Sequence, residues 1–167
     1  LVTGDVMKLC KSYRSTCEIT DFAQQIRTNT DLEPVARHGE KPRMLRYNNE
    51  KEELSAIKEL IATYQASTYK SLGIVCKTES QAREMADKLQ IPDIHFLSNQ
   101  STAFVQCIVI TSAHMAKGLE FDEVIIPQMD DRNYHSEIDR SMLYVAVTRA
   151  MHRLTLTYSG TKHTPFI

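Results

Sequence analysis

Residues 111–122 read Thr-Ser-Ala-His-Met-Ala-Lys-Gly-Leu-Glu-Phe-Asp, which packs hydroxyls, an imidazole, an ammonium and a carboxylate into one short connection. Hydroxyls such as that of Ser112 and a lysine such as Lys117 can meet phosphates. Gly118 allows close backbone approach, and the Glu120 carboxylate suits sugar hydroxyls. The plainer reading is a polar turn that caps a helix. A second segment, Leu-Tyr-Val-Ala-Val-Thr-Arg-Ala at 143–150, is explained as core except at Thr148 and Arg149. An arginine there can bind the last carbonyls of its helix or aim its guanidinium at a nucleotide phosphate. A third, Lys-Ser-Tyr-Arg-Ser-Thr at 11–16, joins a strand to a helix. Ser15 or Thr16 can cap that helix, while Tyr13 offers a ring for base stacking and Arg14 a fork for phosphate.

Presenting these groups requires strands and helices that bring distant segments together. Apolar runs predict strands at Val6–Leu9, Arg43–Tyr47, Leu72–Cys76, Ile94–Leu97, Phe104–Ile110, Glu123–Ile126 and Arg153–Tyr158. Helical spacing predicts Cys17–Arg27, with Ile19, Phe22, Ala23 and Ile26 on one face, and Glu50–Gln65, with Leu54, Ile57, Ile61 and Tyr64 inward. Ala82–Leu89, with Ser80 as its N-cap, and Glu137–Ala150 complete the helices. Alternating strands and helices, several strands being apolar on both faces, imply an α/β fold with a mostly parallel sheet covered on both sides. In such sheets ligands sit at the carboxyl ends of the strands, so that rim is where the chemistry is expected.

The bulk properties narrow the function classes. A chain of 167 residues with 42% hydrophobic and 25% charged content fits one globular domain, residues 1–167. A formal charge of -1 argues against a protein that coats nucleic acid through bulk charge, so any such contact must be a local track. No apolar run is long enough to span a membrane and no signal peptide is visible, which reads as a cytoplasmic protein without membrane partners. Cys10, Cys17, Cys76 and Cys107 lack metal-ligand spacing, and the Asp130-Asp131 pair reads as a solvated turn, so no metal site is expected.

Taken together, the three segments resemble the C-terminal motifs of UvrD/Rep/PcrA-type superfamily 1 DNA helicases: an N-Y-R-S element, an H-S-A-K-G-L-E-F element and a Y-V-A-x-T-R-A element, in that order. The resemblance implies the C-terminal RecA-like domain of such an enzyme, which binds ATP with Mg and pairs with an N-terminal RecA-like domain of the same protein. It implies that Tyr13 stacks on adenine, Glu120 holds the ribose, and Arg14 and Arg149 face the phosphates as catalytic arginines. Gly118 belongs to the same nucleotide-binding element. Ser112, His114 and Lys117 then lie on a track for single-stranded or partly duplex DNA.

The pattern also departs from the family. Ser12 stands where an Asn is usual and Met115 where a Ser is usual. None of the five glycines fits GxxxxGK(S/T), and the nearest Walker B likeness, Val124–Asp131, is interrupted by Pro127. The chain alone is therefore expected not to hydrolyse ATP. The interval between Arg14 and Ser112 is too short for the large extra subdomain of UvrD and Rep. That spacing is more like the compact HelD or helicase IV branch, whose members can associate with RNA polymerase. The competing reading is a non-catalytic interaction module that has kept the sheet and some motif residues.

Overall fold

The structure, a computed structural model, describes residues 11–12, 15–28, 33–34, 36–92, 94–96 and 108–167. Strands β1 (Lys11–Ser12) and β2 (Glu33–Pro34) pair in parallel as a small separate sheet. The main sheet contains β3 (Arg43–Tyr47), β4 (Leu72–Cys76), β5 (Ile94–Phe96), β6 (Ile108–Ser112), β7 (Phe121–Ile126) and β8 (Ala150–Ser159). Its order is β3-β8-β7-β4-β6-β5, and every neighbouring pair is parallel.

Among the described residues four helices cover it: α1 (Cys17–Ile26), α2 (Glu50–Gln65), α3 (Glu79–Leu89) and α4 (Glu137–Val147). Parallel strands need crossovers, and here these load both faces with helices. On one face Ile19, Phe22 and Ile26 of α1 and Leu143 and Val147 of α4 share a core with Phe121, Val124 and Leu154. On the other, Ile57 and Ile61 of α2 and Met85 and Leu89 of α3 pack on Leu72, Ile74, Ile110 and Ile125. All five residues of β4 are buried, as a strand sandwiched between two helical layers must be. This is the α/β class that the alternating apolar runs imply, and the inward positions read from helical spacing on α1 and α2 are buried or pack against the core.

Local boundaries differ from the sequence reading in instructive ways. The cap of α3 is Thr78, not Ser80. The Thr78 hydroxyl accepts from the Gln81 amide and the Gln81 side chain accepts from the Thr78 amide, a closed capping box that a serine two residues later cannot form. Thr16 holds the N-cap position of α1 without a side-chain cap bond. Helix α4 ends at Val147 rather than Ala150, and β7 and β8 begin at Phe121 and Ala150, earlier than expected. Asp130 does fold onto a turn, its Oδ1 accepting from the amides of Arg132 and Asn133. The strand expected at Val6–Leu9, the 104–107 part of the one before β6, Leu97, Cys10 and Cys107 lie outside the described residues. Among the described residues, no helix is long and apolar enough to cross a membrane.

Candidate functional site

Because β6 and β7 are parallel, the chain must return from the carboxyl end of one to the amino end of the other. Residues 113–120 make that return. Ser112, the last residue of β6, pairs with Cys76 at the carboxyl rim, and its Oγ accepts from the Met115 amide at 3.3 Å. Ala113 and Ala116 tuck into the core beneath α1 and α4, which leaves His114 and Lys117 exposed. Gly118 has φ +80° with open space around its α-carbon, so the turn needs a left-handed residue there but nothing crowds it. Phe121 then enters β7 opposite Ala150, the first residue of β8.

That register decides where Glu120 and Arg149 lie. Glu120 and Arg149 each immediately precede one of two paired strands, so they sit at the amino rim of the sheet. Ser112 therefore sits at the carboxyl rim, where ligands are expected, and these two do not. The amide of Phe121 donates to the Arg149 carbonyl at 2.9 Å, which knits the two approaches together.

The Arg149 side chain is half-buried and held by three bonds. Nε donates to the Val145 carbonyl at 3.2 Å, one terminal nitrogen to the Leu119 carbonyl at 3.3 Å, and the other to the Thr148 hydroxyl at 3.2 Å. Thr148 in turn donates to the Val145 carbonyl at 2.8 Å. Burial pulls the guanidinium below its ordinary pKa, while the carboxylate of Glu120 and the phenol of Tyr144 act in the opposite sense. A guanidinium remains charged through such shifts. Arg149 thus does bind the last carbonyls of its helix, and it also clamps that helix to the 113–120 connection.

The first motif reaches the same rim. Ser15, which follows Tyr13 and Arg14, donates its hydroxyl to the Ala150 carbonyl at 2.7 Å, and the Thr16 amide donates to the Met151 carbonyl at 3.2 Å. Tyr13 and Arg14 themselves lie outside the described residues. His114 and Lys117 are placed elsewhere. They line a groove of about 180 Å³ between the connection and α4, with Ile138, Met142 and Val145, and Ile138 is 69% exposed.

Features that sequence reading missed surround this arrangement. At the amino rim Tyr69 stacks on His152 with centroids 5.6 Å apart, and the Arg153 guanidinium lies 4.9 Å from the Tyr69 ring centre while pairing with Glu40 and the buried Glu123. At the carboxyl rim a polar cleft of about 590 Å³ is lined by Glu53, Gln81, Gln128, Asp130, Arg132 and Asn133, among others. Among the described residues no group of three or more His, Cys, Asp or Glu is placed to hold a metal.

Helix α4 carries Arg149 just beyond its end, and Asp139 fixes its start. Asp139 accepts from the amides of His135 and Ser136 at 3.1 and 3.0 Å, and Lys77 lies 3.4 Å away. Burial pushes its pKa up, but those bonds and the lysine outweigh it and hold the carboxyl at about 2, against an ordinary 3.8. A depressed folded pKa adds stability above the unfolded value, and that stability is lost as pH falls toward the folded one. Wild type is therefore expected to weaken between about pH 4 and pH 2. Asp139→Asn should be less stable at pH 7 and lose less on acidification, as read by urea midpoints across that window. Glu18, also held at about 2, titrates in both proteins, so the difference isolates Asp139.

A family model described as UvrD-like helicase C-terminal domain matches residues 7–106 and 94–161. DNA helicase II of Escherichia coli K12 is 36% identical over 73 residues, covering 38% of this chain and 10% of that protein. The Gabija protein GajB of Bacillus cereus VD045 is 41% identical over 58 residues, 35% of this chain and 12% of that one. The chain thus spans about a tenth of the length of these curated relatives. Among solved structures, the C-terminal domain of a possible DNA helicase from Lactobacillus plantarum WCFS1 superposes with a TM-score of 0.76 at 29% identity, covering 93% of this chain and 91% of that one.

Proposed function

Because this chain belongs to the UvrD-like helicase C-terminal domain family and has its RecA-like fold, we propose that it is the second motor lobe of an ATP-dependent DNA helicase or translocase. The observation that carries the reading is the shared amino rim: Glu120, Arg149 and Ser15, the residue after Arg14, all meet where β7 and β8 begin.

The residues at that rim suit a nucleotide held against a second lobe that supplies the phosphate-binding loop. In this reading Tyr13 stacks on the adenine, Glu120 takes the ribose hydroxyls, and Arg14 and Arg149 face the γ-phosphate. Gly118 lets the connection approach without a side chain in the way. In this reading the Mg ligands belong to the other lobe. Two guanidiniums brought to the transferring phosphoryl group stabilise its developing charge, an effect worth about 10³- to 10⁵-fold in related NTPases.

The DNA side of the reading uses Ser112, His114 and Lys117. The 113–120 connection links them to the rim, and Arg149 grips it through the Leu119 carbonyl. A shift of Arg149 toward a phosphate therefore pulls on the segment that carries His114 and Lys117. Loss of the γ-phosphate releases both arginines, and a DNA grip alternating between two lobes becomes stepping. A polypeptide containing this chain and a phosphate-loop lobe should hydrolyse ATP, with turnover that rises when single-stranded DNA is added. Turnover that is absent, or indifferent to DNA, contradicts the proposal.

A further inference from the structure

We infer that Ser15 is a positioning residue that holds the start of β8, and with it the neighbouring phosphate-facing Arg149, in place; this rests on the function proposed above. Ser15 stands next to Arg14 in the chain and Ala150 stands next to Arg149. The bond from the Ser15 hydroxyl to the Ala150 carbonyl, 2.7 Å long and buried, therefore anchors the chain one residue away from Arg149. Ser15 itself is only 5% exposed.

Two observations separate this bond from ordinary packing. A hydroxyl at the start of a helix normally caps it, yet α1 has no side-chain cap. Ser15 instead points its hydroxyl at a carbonyl 135 residues away, and the Thr16 hydroxyl is buried without a partner. A local preference overridden beside a functional residue is where specialised geometry is expected. The tie is also braced. The Thr16 amide and an Arg37 terminal nitrogen both donate to the Met151 carbonyl at 3.2 Å, and the Cys17 amide donates to the Arg37 carbonyl at 2.8 Å. Gly39 closes over the junction so tightly that a methyl group there would come 2.7 Å from the Thr16 methyl. The amino end of β8 and residues 15–17 thus form one braced junction directly after Arg149.

Fixed placement matters because misplacing a reacting group by about 1 Å can cost about 10²-fold in rate. The test uses a polypeptide that contains this chain and the phosphate-loop lobe, with saturating single-stranded DNA, and compares wild type, Ser15→Ala, Ser15→Thr and Arg149→Ala. Ser15→Ala should lower kcat by about 10- to 100-fold with KM for ATP changed less than about threefold, and Ser15→Thr should restore kcat to within about threefold. If Ser15→Ala lowers only the melting temperature and leaves kcat at the wild-type value, the inference is overturned. Should Ser15→Ala not fold, Ser15→Cys keeps the volume but donates weakly. A kcat lowered by about tenfold at unchanged KM then supports the tie, and a wild-type kcat removes it. Undiminished turnover in Arg149→Ala would instead defeat the underlying functional reading, whichever way Ser15 behaves.

Discussion

Arg149→Ala, in a polypeptide carrying both lobes, is expected to cut ATP turnover by about 10³- to 10⁵-fold in a steady-state assay. A guanidinium has five N–H groups. Three are spent on Val145, Leu119 and Thr148. One N–H remains on each terminal nitrogen for a phosphate. The inward bonds set the orientation before the phosphate arrives, so little is lost in ordering the side chain when it does. Arg149→Lys should fare little better than alanine, because one ammonium cannot hold both the Val145 and Leu119 carbonyls and still face outward. Stability should change far less than turnover. Losing hydrogen bonds to carbonyls at a half-exposed helix end costs about 1 kcal/mol, or about 2–4 °C in a domain of this size. Turnover within tenfold of wild type in Arg149→Ala would show that the three inward bonds are the whole role of this side chain.

Residue types single out Glu120 and Arg149, while the side of the sheet on which they sit is hidden from them. Glu120 and Arg149 stand out because nothing in an apolar core needs them. Their position at the amino rim depends on where β7 and β8 begin, and apolar alternation is a poor guide there. The register slips between Phe121 and Glu123, so the regular pattern starts at Glu123 and the first two residues of β7 look like loop. Arg149 likewise reads as helix because Leu143, Ala146 and Val147 keep helical spacing up to it, yet the helix closes at Val147. The helical faces were legible for the opposite reason: Ile19, Phe22, Ala23 and Ile26 repeat at a period that only one structure satisfies, and all four are buried. Ser15 and Thr16 both have the local surroundings of a cap; Thr16 takes the N-cap position, and the Ser15 hydroxyl does not cap. Its true partner is set by the tertiary fold, and no short-range pattern encodes a carbonyl 135 residues away.

Phe121→Ala is expected to produce the largest loss of stability among single changes near the site. Phe121 lies within the motif that carries Glu120, yet it is fully buried and its ring serves the core. Removing a buried Phe side chain costs about 3–5 kcal/mol, because the site collapses only partly around the cavity. Against a typical total of about 5–15 kcal/mol, that loss should lower the melting temperature by about 6–20 °C. The ring's fit is also specific. A methyl group at Gly73 on the neighbouring strand would come 2.5 Å from the Phe121 ring, so β4 needs a glycine at the point where β7 needs an aromatic. Gly73→Ala alone should therefore destabilise by overpacking, about 1–3 kcal/mol. In the Phe121→Ala background the same methyl enters the vacated space and removes a flexible glycine from a strand, so it should restore stability. The double-mutant cycle, read from urea midpoints, should give a coupling of at least about 1 kcal/mol in the rescuing direction. Additive losses would mean that the ring and Gly73 do not share one packing site. A further consequence concerns the rim itself: the Phe121 amide holds the Arg149 carbonyl, so a loosened ring should also slow turnover in the two-lobed protein at temperatures well below its melting point.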